Sequence, residues 1–287
     1  MSDRAPDCTI ADVLAQARTA GVQGAAVAPL DAELLLAEAL GASRAYLHAW
    51  PEHAVAPAAH ARFLGLLARR AGGEPLAYVL GRREFWTLEL EVGPGVLVPR
   101  PETELLVELA LARLEQLRAP AVLDLGTGSG AIGLAIARER PDATVDLVDA
   151  SAAALAVAER NRGHADCANA RTLLGEWYAP VAGRRYAVVV SNPPYLAADD
   201  PHLADPALAC EPRGALVAGP TGLEALRAVA TDAGAHLEPG GWLIVEHGAD
   251  QGSAVRELFA AAGLGSVATR RDLAGLERAT LGRRPTG

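Results

Sequence analysis

The first 73 residues carry the periodicity of amphipathic helices. Apolar side chains recur at helical spacing over residues 29–40, and Gly41 follows as a stop signal. A second run covers residues 57–71 and ends in two arginines and two glycines, the charge and cap typical of a helix C-terminus. A shorter run begins at residues 10–14. These patterns predict a small helical domain over residues 1–73.

The alternation of apolar and polar side chains changes to a strand period in the next segment. Leu88, Leu90 and Val92 fall on one face of a predicted strand over residues 84–92. A Gly-Pro-Gly turn follows, and the apolar residues 96–98 suggest a second short strand. We therefore predict a β-hairpin linker over residues 74–99.

From residue 100 to 287, short apolar runs alternate with helical ones. Strands are predicted over residues 121–124, 144–149, 170–174, 186–191 and 242–246. Helices are predicted over residues 131–139, 151–161 and 222–237. This alternation is typical of βαβ units, so we expect an α/β fold with a doubly wound, mostly parallel sheet covered by helices on both faces.

Composition and charge narrow the class of protein. The chain of 287 residues is 51% apolar and 21% charged, as in globular proteins, and its formal charge is −9. All 26 basic residues are arginine. The acidic balance argues against general electrostatic binding of nucleic acid. Three scattered cysteines, the lack of a signal-peptide pattern and the lack of a long apolar run lead us to expect a reduced, soluble, cytoplasmic protein without a membrane span.

A glycine-rich loop directly follows the first strand of the sheet. The string DLGTGSG at 124–130 opens a helix, and Asp149 ends the next strand. Such a loop lets a ligand approach the backbone, and an acid in that place commonly accepts hydrogen bonds from ribose hydroxyls. The pair predicts a nucleoside-bearing cofactor. Gly128, Gly130 and Gly133 also fit a dinucleotide fingerprint, and a purely structural turn is a further alternative.

The string that selects the chemistry is Asn192-Pro193-Pro194-Tyr195, after an apolar strand. The Asn192 amide oxygen and the Pro193 backbone carbonyl are acceptors that suit the –NH2 group of a planar amide or base. The Tyr195 ring can stack on that plane. Hydrogen bonds from both hydrogens of this –NH2 group to the two acceptors would direct the nitrogen lone pair at an electrophile. The acceleration of the reaction would then come mainly from orientation. A proline-rich turn without function is the plainer alternative.

These motifs together carry a resemblance. DLGTGSG, Asp149 and SNPPY at 191–195 resemble class I S-adenosylmethionine-dependent methyltransferases. The wider match is to the glutamine N5-methyltransferases of peptide chain release factors. It rests on the following strings: REFW at 83–86, VLVPRPETELLVE at 96–108, EP at 211–212, ALVAG at 215–219, GL at 222–223, EHG at 246–248 and RDLAGLERATLGR at 271–283. Cys210 and Thr221 stand where the family often has an aromatic residue and Asp.

The resemblance implies a role for each matching residue. The cofactor would be S-adenosyl-L-methionine, without a metal. Its methionine part would lie on the loop formed by Gly126, Thr127, Gly128, Ser129 and Gly130, its ribose on Asp149 and its adenine near Trp177. Asn192 would contact both cofactor and substrate, and Asn192, Pro193, Pro194 and Tyr195 would bind the glutamine, with Asn192, Pro193 and Tyr195 as the catalytic residues.

The resemblance also implies the partners. The substrate would be the glutamine of the Gly-Gly-Gln loop of class I release factors, docked by residues 1–73, while residues 100–287 form the methyltransferase domain. We expect a monomer that binds neither nucleic acid stably nor membranes.

Alternatives stay open at this point. The chain could instead methylate a glutamine of a ribosomal protein or an amino group of a nucleic acid, or it could be a binding module without catalytic activity. Oxidoreduction with a dinucleotide cofactor is the least favoured alternative. A nucleic-acid enzyme would show a basic cleft or an inserted recognition segment. For single residues, Trp177 and Glu246 also suit packing, Glu211 suits a loop cap, and Arg100 and Glu102 suit the start of a helix.

Overall fold

The computed structural model describes residues 8–19 and 27–287. Within it the chain forms two compact units. One comprises the chain up to Gly81 together with Asp205–Cys210, and the other comprises Arg82–Ala204 and Glu211–Gly287. The division between the units therefore falls at Gly81, later along the chain than the expected end of the helical domain at residue 73.

The first unit is helical. Its helices are α1 (Ile10–Thr19), α2 (Pro29–Leu40), α3 (Arg44–Ala49), α4 (Pro57–Ala71), α5 (Leu76–Leu80) and α9 (Pro206–Ala209). Both α2 and α4 begin with proline in the first turn, as the sequence indicates. Leu35, Leu36 and Phe63 are buried in one core with Val79 of α5. This packing explains why the unit extends to residue 81.

The predicted hairpin exists, but its strands were assigned wrongly. The strands are β1 (Arg82–Phe85) and β2 (Leu88–Glu91), paired antiparallel, and residues 96–98 form no strand. The chain reverses at Trp86, which has a left-handed φ of +55°. Its backbone N–H donates to Glu104 at 2.7 Å and its ring N–H to Glu139 at 2.8 Å. Alternation alone gave no sign of this turn.

The second unit is built on a seven-stranded sheet in the order β10-β11-β9-β6-β3-β4-β5. Its strands are β3 (Ala121–Leu125), β4 (Thr144–Asp149), β5 (Ala170–Leu174), β6 (Tyr186–Ser191), β9 (Leu237–Glu246), β10 (Gly265–Arg271) and β11 (Glu277–Arg283). Strands β9, β6, β3, β4 and β5 are parallel, and β11 runs antiparallel to both of its neighbours, β9 and β10. The expected α/β fold with a doubly wound, mostly parallel sheet is confirmed.

Helices cover both faces of this sheet. They are α6 (Glu104–Leu114), α7 (Ala131–Glu139), α8 (Ala152–His164), α10 (Glu224–His236) and α11 (Gly252–Ala261). Alternate residues of one strand enter separate cores: Val188 packs with α6 and α7, while Val189 packs with α10 and α11. Such strands, buried on both faces, are typical of parallel sheets.

The chain order reverses beside β3, which pairs with β4 on one side and β6 on the other. In open α/β sheets this switch point, at the carboxyl ends of the strands, is where ligands bind. A small parallel pair, β7 (Leu196–Ala197) and β8 (Val217–Gly219), lies after β6. Among the helices of the described residues, none combines the length and apolar character needed to cross a bilayer.

Candidate active site

A cavity of about 500 Å³ lies at the carboxyl ends of β3, β4, β5 and β6. The segments that follow these strands form much of its wall: Gly126–Ser129, Val148–Ser151, Gly175–Trp177, Asn192 and Pro194. The remaining wall comes from segments outside the strand ends: Gly95–Leu97, Pro99, Arg100, Thr103, Ala131, Ile132, Ala154, Pro212, Gly214 and Ala215. Its volume is typical of a pocket for a small ligand.

Four backbone N–H groups of the glycine loop donate hydrogen bonds within the protein. Gly126 and Thr127 donate to the Val148 carbonyl, at 2.9 and 3.0 Å. Gly128 donates to the Asp149 Oδ2 atom at 2.9 Å, and Gly130 donates to the Thr127 carbonyl at 2.8 Å. A dinucleotide pyrophosphate is bound by free N–H groups of such a loop. Because these N–H groups already have partners, the geometry disfavours the dinucleotide alternative.

Asp124 supports the loop from below. Its Oδ2 atom accepts hydrogen bonds from the Thr127 hydroxyl at 2.6 Å and the Gly133 N–H at 2.9 Å. The carboxyl group is fully buried, and burial raises its pKa to about 6 although both hydrogen bonds favour the ionised form. A methyl group at Gly133 would lie 2.1 Å from the Leu147 side chain, so glycine there lets α7 approach the sheet closely.

Asp149 joins the loop to the next helix and faces the cavity. Its Oδ2 atom accepts from Gly128, and its Oδ1 atom accepts from the Ser151 N–H at 2.8 Å. Each carboxylate oxygen can accept a second hydrogen bond. The side chain is therefore oriented by the backbone and keeps acceptor capacity for the hydroxyls of a ligand.

Trp177 lines the cavity and also packs against the core beneath it. Its backbone has a left-handed φ of +46°, a conformation uncommon for such a bulky residue. The ring lies 4.0 Å from the position that a Cβ atom would take at Gly126. Trp177 is thus a packing residue of the core that also lines the cavity, and its contact with a ligand stays a prediction.

Asn192 belongs to a chain of hydrogen bonds whose central link, between Thr103 and Glu246, is buried. Its Nδ2 atom donates to the Thr103 hydroxyl at 3.2 Å, and that hydroxyl donates to the Glu246 Oε2 atom at 2.6 Å. The Tyr195 hydroxyl donates to the other carboxylate oxygen, Oε1, at 3.3 Å. Because the amide nitrogen of Asn192 is directed to Thr103, the amide oxygen is the acceptor that remains on this side chain.

The electrostatics of this chain follow from burial. Burial raises the pKa of Glu246 to about 7, although the Thr103 hydrogen bond, the Arg278 charge and Tyr195 favour its ionised form. Burial, with the Glu246 charge, also raises the pKa of Tyr195 above its ordinary value. Tyr195 therefore stays a neutral hydrogen-bond donor near neutral pH and does not act as a base.

Glu211 ties two loops of the cavity wall together. Its side chain is buried, its Oε2 atom accepts from the Val98 N–H at 3.0 Å, and its Oε1 atom pairs with Arg100. Arg100 and Pro212, which follows Glu211, both line the cavity. Glu211 and Arg100 thus fix the loop shape at this side of the site.

Comparison with known proteins shows the family of this chain. Residues 102–208 match the model of the Methyltransferase small domain, and residues 12–81 match that of the PrmC N-terminal domain. The Release factor glutamine methyltransferase of Burkholderia pseudomallei (strain K96243) is 53% identical over 262 residues, covering 89% of this chain and 92% of the relative. The chain belongs to the release factor glutamine methyltransferase family.

Other comparisons agree with this family. The enzyme of the same name from Pseudomonas aeruginosa (strain PAO1) is 52% identical over 255 residues, covering 89% of this chain and 92% of the relative. Among solved structures, a T. thermophilus 16S rRNA N2 G1207 methyltransferase in complex with AdoMet and guanosine has a TM-score of 0.53 at 23% identity, covering 71% of this chain and 49% of that one. This last likeness shows the Rossmann-like methyltransferase fold alone.

Most of the expected site residues of this methyltransferase come together. Those that line the cavity are Gly126, Thr127, Gly128, Ser129, Asp149, Trp177, Asn192 and Pro194. Gly130, Pro193 and Tyr195 are neighbours of lining residues in the sequence but are not part of the wall. Gly130 instead begins α7 with a left-handed φ of +87°, and Tyr195 points to Glu246.

Two polar residues that hydrogen bonds connect to Asn192 were not assigned a functional role from the sequence. Thr103 lies inside the PRPETELLVE string but reads as part of a helix start. Glu246 reads as the structural end of a strand. Their contact joins residues 103 and 246, which no local pattern relates. The one feature that could have pointed to Glu246 is an acidic residue that is buried at the carboxyl end of β9, next to β6, the strand that precedes Asn192.

Proposed function

We propose that this chain transfers a methyl group from S-adenosyl-L-methionine to the side-chain amide nitrogen of the glutamine in the Gly-Gly-Gln motif of class I peptide chain release factors. The observation that carries the proposal is Asn192, which lies in the cavity wall with its amide nitrogen held by Thr103. This leaves a carbonyl acceptor for a substrate amide. The substrate class comes from the name of relatives that are more than half identical to the chain.

The cavity suits the cofactor in three respects. Asp149 provides a carboxylate with acceptor capacity for ribose hydroxyls, and Trp177 provides a planar wall for a base. Gly126, whose left-handed φ of +69° favours glycine, places backbone without a side chain beside the Trp177 ring. We propose that these residues, with Thr127, Gly128 and Ser129, hold S-adenosyl-L-methionine. When bound, this cofactor supplies an electrophilic methyl group on a sulfonium.

The residues of the motif supply orientation. An amide nitrogen is a weak nucleophile because its lone pair is delocalised into the carbonyl. The Asn192 amide oxygen and the Pro193 backbone carbonyl would accept the two hydrogens of the glutamine –NH2 group and turn the lone pair toward the cofactor. The Tyr195 ring would stack against the amide plane. Since the new bond makes the nitrogen acidic, its proton can leave afterwards, and no base is required before attack.

We propose that residues 1–73 dock the rest of the release factor, that residues 74–99 act as the linker, and that residues 100–287 carry the transfer. In the helical unit, Tyr46 and the stacked pair Trp50 and His53 form an exposed aromatic cluster suited to a protein partner. We also propose that the enzyme acts in the cytoplasm as a monomer, without stable nucleic-acid binding.

The test is methyl transfer from labelled S-adenosyl-L-methionine to purified release factor. We expect label on the factor with its Gly-Gly-Gln glutamine intact and none on the factor with that glutamine replaced by alanine. The Asn192→Ala enzyme is the matched control for background labelling. If label appeared only on ribosomal protein or on nucleic acid, the chain would still be a methyltransferase, but the proposed substrate would be wrong.

A further inference from the structure

Three elements that are distant in the sequence meet behind the Asn-Pro-Pro-Tyr string. Asn192 follows β6, Thr103 precedes α6, and Glu246 ends β9. The side chains of Thr103 and Glu246 are buried, and hydrogen bonds join Asn192 to Thr103 and Thr103 to Glu246. We infer that Glu246, acting through Thr103, fixes the Asn192 side-chain amide in the one orientation that presents its oxygen to a substrate amide.

The direction of the hydrogen bonds follows from the chemistry of each group. When the Glu246 carboxylate is ionised it only accepts, and the single hydroxyl hydrogen of Thr103 is then committed to Glu246. The Thr103 oxygen is then an acceptor toward Asn192, and it can be satisfied only by the Nδ2 end of that amide. The ionised acid thus sets the amide orientation two hydrogen bonds away.

This orientation matters for an –NH2 substrate. With the amide of Asn192 reversed, its own –NH2 group would face the hydrogens of the substrate nitrogen, donor against donor. Correct orientation turns that repulsion into a hydrogen bond. The inference therefore rests on the proposed function, and it makes Thr103 and Glu246 positioning residues.

The same carboxylate also holds the far end of the motif. Oε2 of Glu246 accepts from Thr103 and Oε1 accepts from Tyr195, at 2.6 and 3.3 Å. One buried acid thereby sets both the amide that grips the substrate nitrogen and the ring expected to stack on it. A plain structural role explains this less well, since Thr103 stands at the start of α6 without making a side-chain capping hydrogen bond.

The experiment compares three threonine variants in methyl transfer to release factor. Thr103→Val removes the hydroxyl and keeps the shape, and we expect kcat to fall at least about tenfold. Thr103→Ser restores the hydroxyl and should return kcat to within about threefold of wild type. The KM for release factor and the Kd for S-adenosylhomocysteine, measured by calorimetry, should change by less than about threefold in both variants.

Thr280→Val is the matched control. Thr280, in β11, is likewise a buried threonine, but its hydroxyl bonds to His247 and Thr269 and has no hydrogen bond to Asn192. We expect its kcat to stay near wild type. A Thr103→Val enzyme with wild-type kcat would overturn the inference. So would a loss that serine does not restore, or an equal loss in Thr280→Val, because either would indicate general damage to the fold.

A second measurement does not depend on the substrate. In protein labelled with ¹⁵N on asparagine, the side-chain –NH2 signals of Asn192 are identified by their loss in Asn192→Ala. We expect these signals to shift in Thr103→Val and to remain in place in Thr280→Val. Unchanged signals in Thr103→Val would overturn the inference even where turnover falls. Wild-type enzyme that leaves release factor unlabelled would instead overturn the proposed function, while the signals still test the hydrogen-bond chain.

Discussion

At the scale of single residues, we expect methyl transfer to depend most on the side chain of Asn192. Its amide oxygen is the acceptor left after Nδ2 bonds to Thr103. We expect Asn192→Ala to lower the rate of labelled methyl transfer at least about a hundredfold, because orientation supplies most of the rate. The fold should stay intact by circular dichroism. A variant near the wild-type rate would contradict the acceptor mechanism.

Variants of Tyr195 can distinguish the role of its ring from that of its hydroxyl group. Tyr195→Ala should lower turnover less than Asn192→Ala does, because stacking assists orientation and does not provide it. Tyr195→Phe keeps the ring and loses the hydrogen bond to Glu246, so we expect it to retain more activity than Tyr195→Ala. Single-turnover rates for the three variants give the order. Equal losses in Tyr195→Ala and Asn192→Ala would show that the ring does more than stack.

Asp149 is expected to control affinity for the cofactor. Removing a charged acceptor that bonds ribose costs about 1.5–3 kcal/mol, so Asp149→Ala should weaken S-adenosylhomocysteine binding about 10- to 100-fold by calorimetry. The control is Asp142→Ala, which removes an acid paired with Arg140 just before the amino end of the same strand, β4. Similar affinities for the two variants would place the ribose elsewhere.

At the scale of elements, the contact of α7 with the sheet depends on one glycine. A Cβ atom at Gly133 would lie 2.1 Å from Leu147 and 3.0 Å from the Asp124 carboxylate. We expect Gly133→Ala to lower the free energy of unfolding by about 1–3 kcal/mol in urea, since the helix must move off the strands.

The control for this prediction is another helical glycine of the same unit. Gly234 in α10 has no atom within 4 Å of its added Cβ, so Gly234→Ala should be neutral or stabilise the protein by up to about 1 kcal/mol. A Gly133→Ala protein as stable as Gly234→Ala would mean that α7 does not need its close approach.

Some of the strands and turns were predicted from the sequence, and others were missed for identifiable reasons. The strand at 186–191 was predicted with its observed bounds because every residue in it is buried, which leaves a continuous apolar run. The turn at Trp86 was missed because tertiary hydrogen bonds to Glu104 and Glu139 hold it, and no turn residue marks it. Strand β10 was missed because it is exposed or half-buried throughout and ends in two arginines, and β11 was missed because its buried stretch, residues 279–282, is too short and too mixed to give a strand pattern.

In the candidate site, too, residues marked by local patterns were predicted and residues joined only by tertiary contacts were missed. Residues grouped in motifs, such as Asp149 and Asn192, were found because each stands at the end of a parallel strand, and parallel strands end at one edge of a sheet. Thr103 and Glu246 were not found, because their role exists only when the sheet brings them together. Local spacing predicted residues that line the cavity, whereas the residues bonded behind them depend on tertiary contacts.

At the scale of the whole molecule, stability should depend on pH through buried acids. The pKa of Glu246 is raised from 4.5 to about 7, so the folded protein binds this proton more tightly than the unfolded chain does. Protonation therefore stabilises the fold at low pH, and the contribution is lost as pH rises through about 7. Asp124, with a pKa raised to about 6, adds a change of the same sign.

Glu246→Gln isolates the first contribution, because glutamine does not titrate and the other groups remain in both proteins. Between about pH 5.5 and about pH 8, we expect the unfolding free energy of wild type relative to Glu246→Gln to fall by about 2 kcal/mol. Urea titrations at several pH values measure this difference, and the exposed Glu257→Gln on α11 controls for the loss of one negative charge. Parallel curves for wild type and Glu246→Gln would mean that Glu246 does not change its charge in this range. In that case the carboxylate that commits the Thr103 hydrogen would already be ionised throughout it, and the orientation of Asn192 would be insensitive to pH.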